Sequence, residues 1–214
     1  MKSAVRGAIV RNSRDNKLRH FWSLCQEGLT VLDVGVSGAT KDKSEHNYFL
    51  KNYNRDPKTY TGLGIQDMTQ MQAKYPHLKL VQYDGSKFPF ADKSFDWAFS
   101  NAVIEHVGDE AAQLLFIDEM LRVAKRAYFT TPNMYFPVET HTGQLFRHWN
   151  RDSFMKWATK HRPNLVVKNS LRLLGYSDLK RLLEQSRATE WTIRRNRLLG
   201  WTMTYSVVCR EAGR

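Results

Sequence analysis

The sequence predicts an α/β protein built on an open parallel sheet with helices on both faces. Three observations carry that expectation. Val31-Leu32-Asp33-Val34-Gly35-Val36-Ser37-Gly38 is a short apolar run that ends in an acid and then a turn of small residues. A buried parallel strand hands over to a nucleotide-binding loop in this way. Strand-like and helix-like patterns then alternate through Thr131, the order of right-handed crossovers. The residues just after each of five strands (Asp33–Gly38, Gly64–Asp67, Asp84–Gly85, Asn101–His106 and Thr131–Asn133) are dense in polar groups and glycine, and ligands of open parallel sheets sit beyond those ends.

Each element follows from local pattern. Met1–Gly28 reads as a polar, basic lead-in followed by a short amphipathic helix, with Leu18, Phe21, Trp22, Leu24 and Cys25 at helical spacing and Gly28 at its end. Thr30–Val34 is the first strand. The stretch from Ala39 to His46 is a long charged loop before a short helix over Asn47–Tyr53. Tyr60–Ile65 is the second strand, Met68–Tyr75 a helix, and Leu78–Tyr83 the third strand. Lys87–Ser94 is a loop with aromatic anchors, and Phe95–Ser100 the fourth strand. Asp109 is placed to cap a helix running to Val123, with Leu114, Ile117 and Leu121 facing inward. Arg126–Thr131 is the fifth strand. Pro132–Trp149 is aromatic, histidine-bearing and without period. Helices are expected over Arg151–His161, capped by Asn150 or Asp152, and over Ser177–Gln185, with Leu179, Leu182 and Leu183 inward. Glu190–Arg195 and Trp201–Arg210 form an antiparallel pair at the sheet edge.

Composition narrows the class. A chain of 214 residues with 42% hydrophobic content has room for one α/β domain with a substantial core. The expected division is a basic lead-in and helix over 1–28 and a single domain over 29–214. No apolar run approaches the ~18–20 residues of a membrane helix, and the start lacks the apolar segment of a secretory signal. Cys25 and Cys209 make no metal or redox spacing, so two free thiols in a reducing, cytoplasmic compartment are expected, and no metal. The net charge of +12 is uneven: residues 1–20 carry +5, residues 150–214 carry +9, and the stretch between carries −2. That excess suits an anionic substrate, a membrane surface or nucleic acid, or is simply a solvated basic surface.

At the strand tips the chain resembles the class I S-adenosylmethionine-dependent methyltransferases. The resemblance is carried by Phe88-Pro89-Phe90-Ala91-Asp92-Lys93-Ser94-Phe95-Asp96, Asn101-Ala102-Val103-Ile104-Glu105-His106-Val107, Glu119-Met120-Leu121-Arg122-Val123 and Thr130-Thr131-Pro132-Asn133. It extends to a bacterial subgroup with a segment similar to Phe136-Pro137-Val138-Glu139-Thr140-His141-Thr142 before a His-Trp pair, here His148-Trp149. The resemblance implies a Rossmann-like seven-stranded sheet of order 3-2-1-4-5-7-6, S-adenosylmethionine as cofactor, and methyl transfer. Laid on matching residues, it implies that Asp33, Gly35, Val36, Ser37 and Gly38 line the amino-acid and ribose part of the cofactor. Gly64, Ile65 and Asp67 follow strand two near the ribose. Asp84 meets the adenine amino group with Gly85 and Ser86 alongside, and Asn101, Ala102 and Ile104 approach the methionine.

Two departures stand out. Ser37 and Ala39 occupy positions where many relatives have glycine. The acid that usually ends strand two and grips both ribose hydroxyls is replaced by Gly64, which leaves Asp67 or Gln66 to reach the ribose. If neither does, cofactor binding is weak or the chain is a non-catalytic relative.

Methyl transfer from a sulfonium is an in-line displacement, in which the protein aligns the nucleophile and excludes water. A hydroxyl nucleophile benefits from a base near neutral pH, and His141 in Glu139-Thr140-His141-Thr142 is the candidate. His106, Tyr135, Glu139, Arg147 and His148 are candidates for the acceptor side, Arg147 toward a phosphate or carboxylate. The plainer reading makes His141 and His106 hydrogen-bonded loop residues, the aromatics a core cluster and Arg147 a surface ion-pair partner. The function expected is O-methylation of a small molecule or a glycan- or lipid-linked precursor. A competing reading, nucleic-acid binding or RNA modification, rests on the charge. Against it, Ser100-Asn101-Ala102-Val103 is not the polar-Pro-Pro-aromatic turn of enzymes that methylate base amino groups. An oxidoreductase on a similar sheet is disfavoured because no G-x-G-x-x-G follows strand one.

Overall fold

The structure, a computed structural model, describes residues 3–39, 46–163 and 171–212. Most of the charged loop read after Gly38 (residues 40–45) lies outside the described residues. In chain order the elements are α1 (Ser3–Leu24), β1 (Val31–Val34), α2 (Tyr48–Lys51), β2 (Tyr60–Gly64), α3 (Thr69–Lys74), β3 (Lys79–Gln82), β4 (Phe95–Asn101), α4 (Glu110–Val123), β5 (Ala124–Pro132), α5 (Arg151–His161), α6 (Tyr176–Gln185), β6 (Glu190–Leu198) and β7 (Trp201–Arg210). The seven strands form one sheet in the order β3-β2-β1-β4-β5-β7-β6. The first five are parallel, and β7 runs antiparallel between β5 and β6.

Alternation along the central strands sorts the core into two layers. In β1, Val31 faces one layer, and Leu32 and Val34 face the other. The first layer joins α1 and α2 to the sheet through Phe21, Phe49, Tyr60, Trp97, Phe99 and Tyr128. The rings of Phe49 and Phe99 stack with centroids 4.0 Å apart. The second layer holds Ile117, Met120 and Leu121 of α4 and Leu179, Leu182 and Leu183 of α6 against Leu32, Ala98 and Phe129. Asp109 caps α4 by accepting from the Ala112 amide at 2.9 Å, and Asn150 caps α5 by accepting from the Ser153 amide at 2.9 Å.

The N-terminal helix is not confined to the segment near Phe21: it runs through the basic lead-in for 22 residues. Its first two-thirds carry no apolar stripe, so periodicity is blind to it. Phe21 and Cys25 anchor its end on the sheet face, and its middle turns bring Arg14 and Lys17 over the strand tips. The helix therefore both covers the sheet and roofs the cleft. Two strands are also longer than their patterns predict: β5 begins at Ala124, and β6 continues through Asn196, with a register shift there, to Leu198. Both cysteines are free and buried, and no helix among the described residues is long and apolar enough to cross a membrane.

Candidate active site

The tips of β1 and β4 open into a cavity of about 310 Å³ walled by Asp33–Ser37, Asn101–Val103, His106 and His141 and roofed by Arg14 and the 46–49 segment. Sequence reasoning places Asp33, Gly35, Val36, Ser37, Asn101, Ala102, His106 and His141 here, and all of them line it. The loop after β1 is held by backbone first. The amides of Gly35 and Val36 both donate to the Leu63 carbonyl, at 2.8 and 3.0 Å. Gly35 has φ +100°, and a Cβ there would lie 2.3 Å from Val103 Cγ2, so only glycine fits. The Ser37 amide donates to Asn47 Oδ1 at 2.8 Å, and Asn47 Nδ2 donates back to the Ser37 carbonyl at 2.9 Å.

Asp33 is the charged group at the floor of this cavity. It is buried, with Oδ2 accepting from the Tyr60 hydroxyl at 2.7 Å. Burial pushes its pKa up and the Tyr60 hydrogen bond pulls it partly back, leaving it at about 7. A carboxylate so placed gains from a cationic ligand that restores its charge.

Across the exit of β4 a second cavity, about 140 Å³, shares Asn101, Ala102, Arg14 and His141 with the first and adds Ser13, Lys17, Thr140 and Met203. Ala102 sits at φ +57°, a left-handed conformation that costs a non-glycine residue energy and is found mostly where function demands it. Its amide donates to the Thr130 carbonyl at 3.0 Å, and Asn101 Oδ1 accepts from Thr130 Oγ1 at 2.8 Å. Lys17 is buried, and its pKa falls to about 8 because burial and the Arg14 charge outweigh the attraction of Glu105. The sequence gives no hint of Arg14 or Lys17, because they reach the site from a helix without visible amphipathicity.

His141 stands on the wall common to both cavities. Its Nδ1 lies 2.7 Å from Glu139 Oε1 and its Nε2 lies 3.0 Å from Nε2 of His106. Glu139 is buried and also accepts from the amides of His141 and Thr142 and from Thr142 Oγ1. Burial would raise its pKa, but the hydrogen bonds and charge of His141 and the Thr142 contacts hold it at about 2. An ionised Glu139 favours the His141 proton on Nδ1, so His141 Nε2 accepts from the Nε2–H of His106 on the wall of the cavities. Glu105 is fully buried behind His106: Oε2 accepts from Thr131 Oγ1 at 3.1 Å, and Oε1 has no hydrogen-bond partner among the described residues. No metal-ligand pattern is visible in the sequence, yet the fold brings one ligand atom each of Glu105, His106 and His141 within 4.8 Å of one another.

The remaining candidates are not gathered here. Gly64 ends β2, where a Cβ would lie 2.1 Å from the Val36 carbonyl oxygen, so no larger side chain fits. Gln66 does not reach outward. Its Oε1 accepts from Ser37 Oγ at 3.0 Å and from the Gly38 amide at 2.9 Å. Asp67 Oδ1 is taken up locally, accepting from the Thr69 amide and hydroxyl at 2.9 and 2.6 Å. Ile65 is exposed, and Asp84 is exposed with Oδ1 accepting from the Ser86 amide and hydroxyl at 2.9 and 2.6 Å, beside Gly85. These residues line neither of the two cavities. Ile104 is buried in the core as a support beneath the loop. Tyr135 is exposed, its amide donating to Asn133 Oδ1 at 3.0 Å. Arg147 lies over the Trp157 ring at 5.5 Å. His148 is buried with Nε2 2.8 Å from the Phe136 carbonyl, and burial lowers its pKa. Tyr135, Arg147 and His148, expected on the acceptor side, therefore line neither cavity, because the 132–149 segment folds back on itself through its own hydrogen bonds.

Cofactor fit is good at one end. A buried carboxylate that needs a cation, the close Gly35 turn and the polar Asn101 suit the amino-acid and sulfonium half of S-adenosylmethionine, and the cavity is at the small end of the ~300–1,000 Å³ of ligand sites. The ribose half lacks its usual acid.

Sheet order, loop and strand tips together give the fold of the class I S-adenosylmethionine-dependent methyltransferases. Residues 42–127 match the family model described as a methyltransferase domain. Among solved structures, the chain is similar to a SAM-dependent methyltransferase from Aquifex aeolicus (TM-score 0.55, 16% identity, 92% of this chain and 89% of that one). It is also similar to one from Methanosarcina mazei (0.55, 17%, 91% and 96%). A third, from Thermotoga maritima, is described as a possible histamine N-methyltransferase (0.58, 14%, 91% and 87%). At these identities the likeness shows the fold. No curated protein sequence matches the chain.

Proposed function

We propose that the protein transfers a methyl group to a hydroxyl oxygen of an anionic small molecule, or of a glycan- or lipid-linked precursor, bound in the second cavity. The observation that carries this reading is the junction of the two cavities at Asn101 and Ala102, with His141 on their common wall. When bound, S-adenosylmethionine supplies an electrophilic methyl on a good leaving group. Asp33 and the Gly35–Ser37 loop would hold its cationic end in the first cavity. The acceptor enters from the other side, where Arg14 and Lys17 supply positive charge for a phosphate or carboxylate. Tyr48 and Phe49 close the roof and limit water. His141 Nε2, on giving up its contact with His106, would take the proton of the acceptor hydroxyl, and Glu139 would orient the imidazole and stabilise the imidazolium. Residues 1–28 act as a cap on the domain over 29–214, and the two free thiols suit the cytoplasm.

The test is transfer of labelled methyl to a panel of anionic hydroxyl compounds, compared between the wild type and His141→Ala. The expected result is an O-methyl product and a ~10²–10⁴-fold fall in kcat for the variant, with cofactor affinity retained. Label on nitrogen or carbon, or a variant as fast as the wild type, refutes the reading.

A further inference from the structure

We infer that Glu105, His106 and His141 form a binding site for a divalent transition-metal ion of the zinc class, set in the wall between the two cavities. The two Nε2 atoms lie 3.0 Å apart with the rings at 90°, close to the separation of two nitrogens on one ion. An ion about 2.0–2.1 Å from each nitrogen fits that separation with a small opening of the pair. A carboxylate oxygen of Glu105 lies within 4.8 Å of both nitrogens and would move toward them to join the same ion. A mixed His-His-carboxylate set with one position left open is the donor set of catalytic zinc.

Two further observations point the same way. Glu105 is fully buried, and its Oε1 has no hydrogen-bond partner among the described residues. Buried carboxylate oxygens are almost always satisfied, and a bound ion supplies what is missing. The charge of Lys17 acts on the same carboxylate and offsets it in part, but it makes no bond to Oε1. Glu139 holds Nδ1 of His141 at 2.7 Å, the carboxylate–histidine support that fixes a ligand imidazole with Nε2 toward the metal. A proton shared between the two Nε2 atoms would explain their approach, but not the Glu105 oxygen. The three ligands come from two places: Glu105 and His106 are adjacent on the single helical turn after β4, and His141 is on the loop after β5. No short sequence spacing reveals them.

The inference goes beyond the methyl-transfer reading and does not rest on it. Ion and proton compete for the same lone pair of His141, so an occupied site exchanges an imidazole base for a Lewis acid that lowers the pKa of an oxygen bound to it.

The full chain, stripped with a chelator, is titrated with Co(II) alone and followed by visible absorption, and with Zn(II) by calorimetry, both without S-adenosylmethionine. One equivalent is expected to bind, with the visible bands of low-coordinate cobalt. His106→Ala and His141→Ala should each weaken binding at least tenfold, and Glu105→Gln and Glu139→Gln should weaken it ~10–100-fold. Circular dichroism and melting identify any variant that fails to fold. If one carboxamide variant does so, the wild type and the histidine variants decide. Folded wild type that takes up neither ion overturns the inference, and so does unchanged affinity in folded His106→Ala and His141→Ala. A chain that binds metal but methylates nothing leaves the site standing and sinks the methyltransfer reading alone.

Discussion

Asp33 makes cofactor affinity a function of pH, and the size of the effect follows from its setting. Its carboxyl titrates at about 7. About a tenth of it is therefore ionised at pH 6 and about nine-tenths at pH 8. If the cationic end of S-adenosylmethionine sits against it, the bound form keeps the carboxylate ionised, and binding at pH 6 expels about 0.9 proton. The Kd should rise about tenfold between pH 8 and pH 6, about 1.4 kcal/mol. Calorimetry in two buffers of different ionisation enthalpy measures both the affinity and the proton count. Asp33→Asn is the control: it keeps the shape, cannot ionise, and should show a flatter pH profile and no proton release from this site. The cofactor's own amine titrates identically against both proteins, so the difference between them isolates Asp33. Tyr60→Phe removes the hydrogen bond that favours the carboxylate and should move the midpoint upward. Equal pH dependence in wild type and Asp33→Asn, with the same buffer-dependent heat, would show that no cationic group lies against Asp33.

Three other outcomes are expected. In the cofactor-free protein, the folded state favours protonated Asp33, with its pKa raised from 3.8 to about 7. Stability is therefore greatest, as far as this group goes, below pH 3.8 and is lost as pH rises through 7, by up to about 4 kcal/mol; denaturant melts of Asp33→Asn should lack that loss relative to wild type. Arg122→Met should cost about 3–5 kcal/mol in the same assay. It strands the buried Glu119 carboxylate and frees the carbonyls of Phe88 and Phe90, all of which Arg122 holds; a loss below about 1 kcal/mol would mean Glu119 finds another partner. Gly64→Asp should lower Tm by several degrees, through about 1–3 kcal/mol of overpacking against the Val36 carbonyl, and an unchanged Tm would show that the loop yields.

What the sequence made legible was what burial dictates. The strands of the central sheet, the inward leucines of α6 and the cap of α4 all follow from period and capping chemistry, and they stand where predicted within a residue or two. The resemblance carried the sheet order, which no local pattern contains. The site was legible only where a strand tip forces its residues into the cleft, as at Asp33–Ser37 and Asn101–Ala102. It was not legible in the 132–149 segment. There the path is decided by side chains bonding to the loop's own backbone, as His148 does to Phe136 and Glu139 does to His141 and Thr142. One histidine of that segment reached the cleft and the other turned into the protein, and nothing in their neighbours' polarity distinguishes the two. Arg14 and Lys17 are illegible for the opposite reason: a helix that buries only its far end gives no signal for the face it lays over a cavity.

The departure at Gly64 and the departures in the loop after β1 are one structural change. Because the amides of Gly35 and Val36 both bond to Leu63, the β1 loop leans across the tip of β2. The Val36 carbonyl then occupies the place where a side chain at residue 64 would start. An acid cannot stand there while the loop takes this path. With Ser37 in place of a further glycine, the loop gains a hydroxyl, and Gln66 ties that hydroxyl and the Gly38 amide together. The latch from strand two thus holds the loop and not a ribose. A cofactor bound here would lose a bidentate contact worth about 1.5–3 kcal/mol for hydrogen bonds to a charged group, and more of its affinity would have to come from the other end of the cavity. Asp33 is the buried acid at that end, which is why its ionisation should weigh more heavily on binding here than where a second carboxylate shares the cofactor.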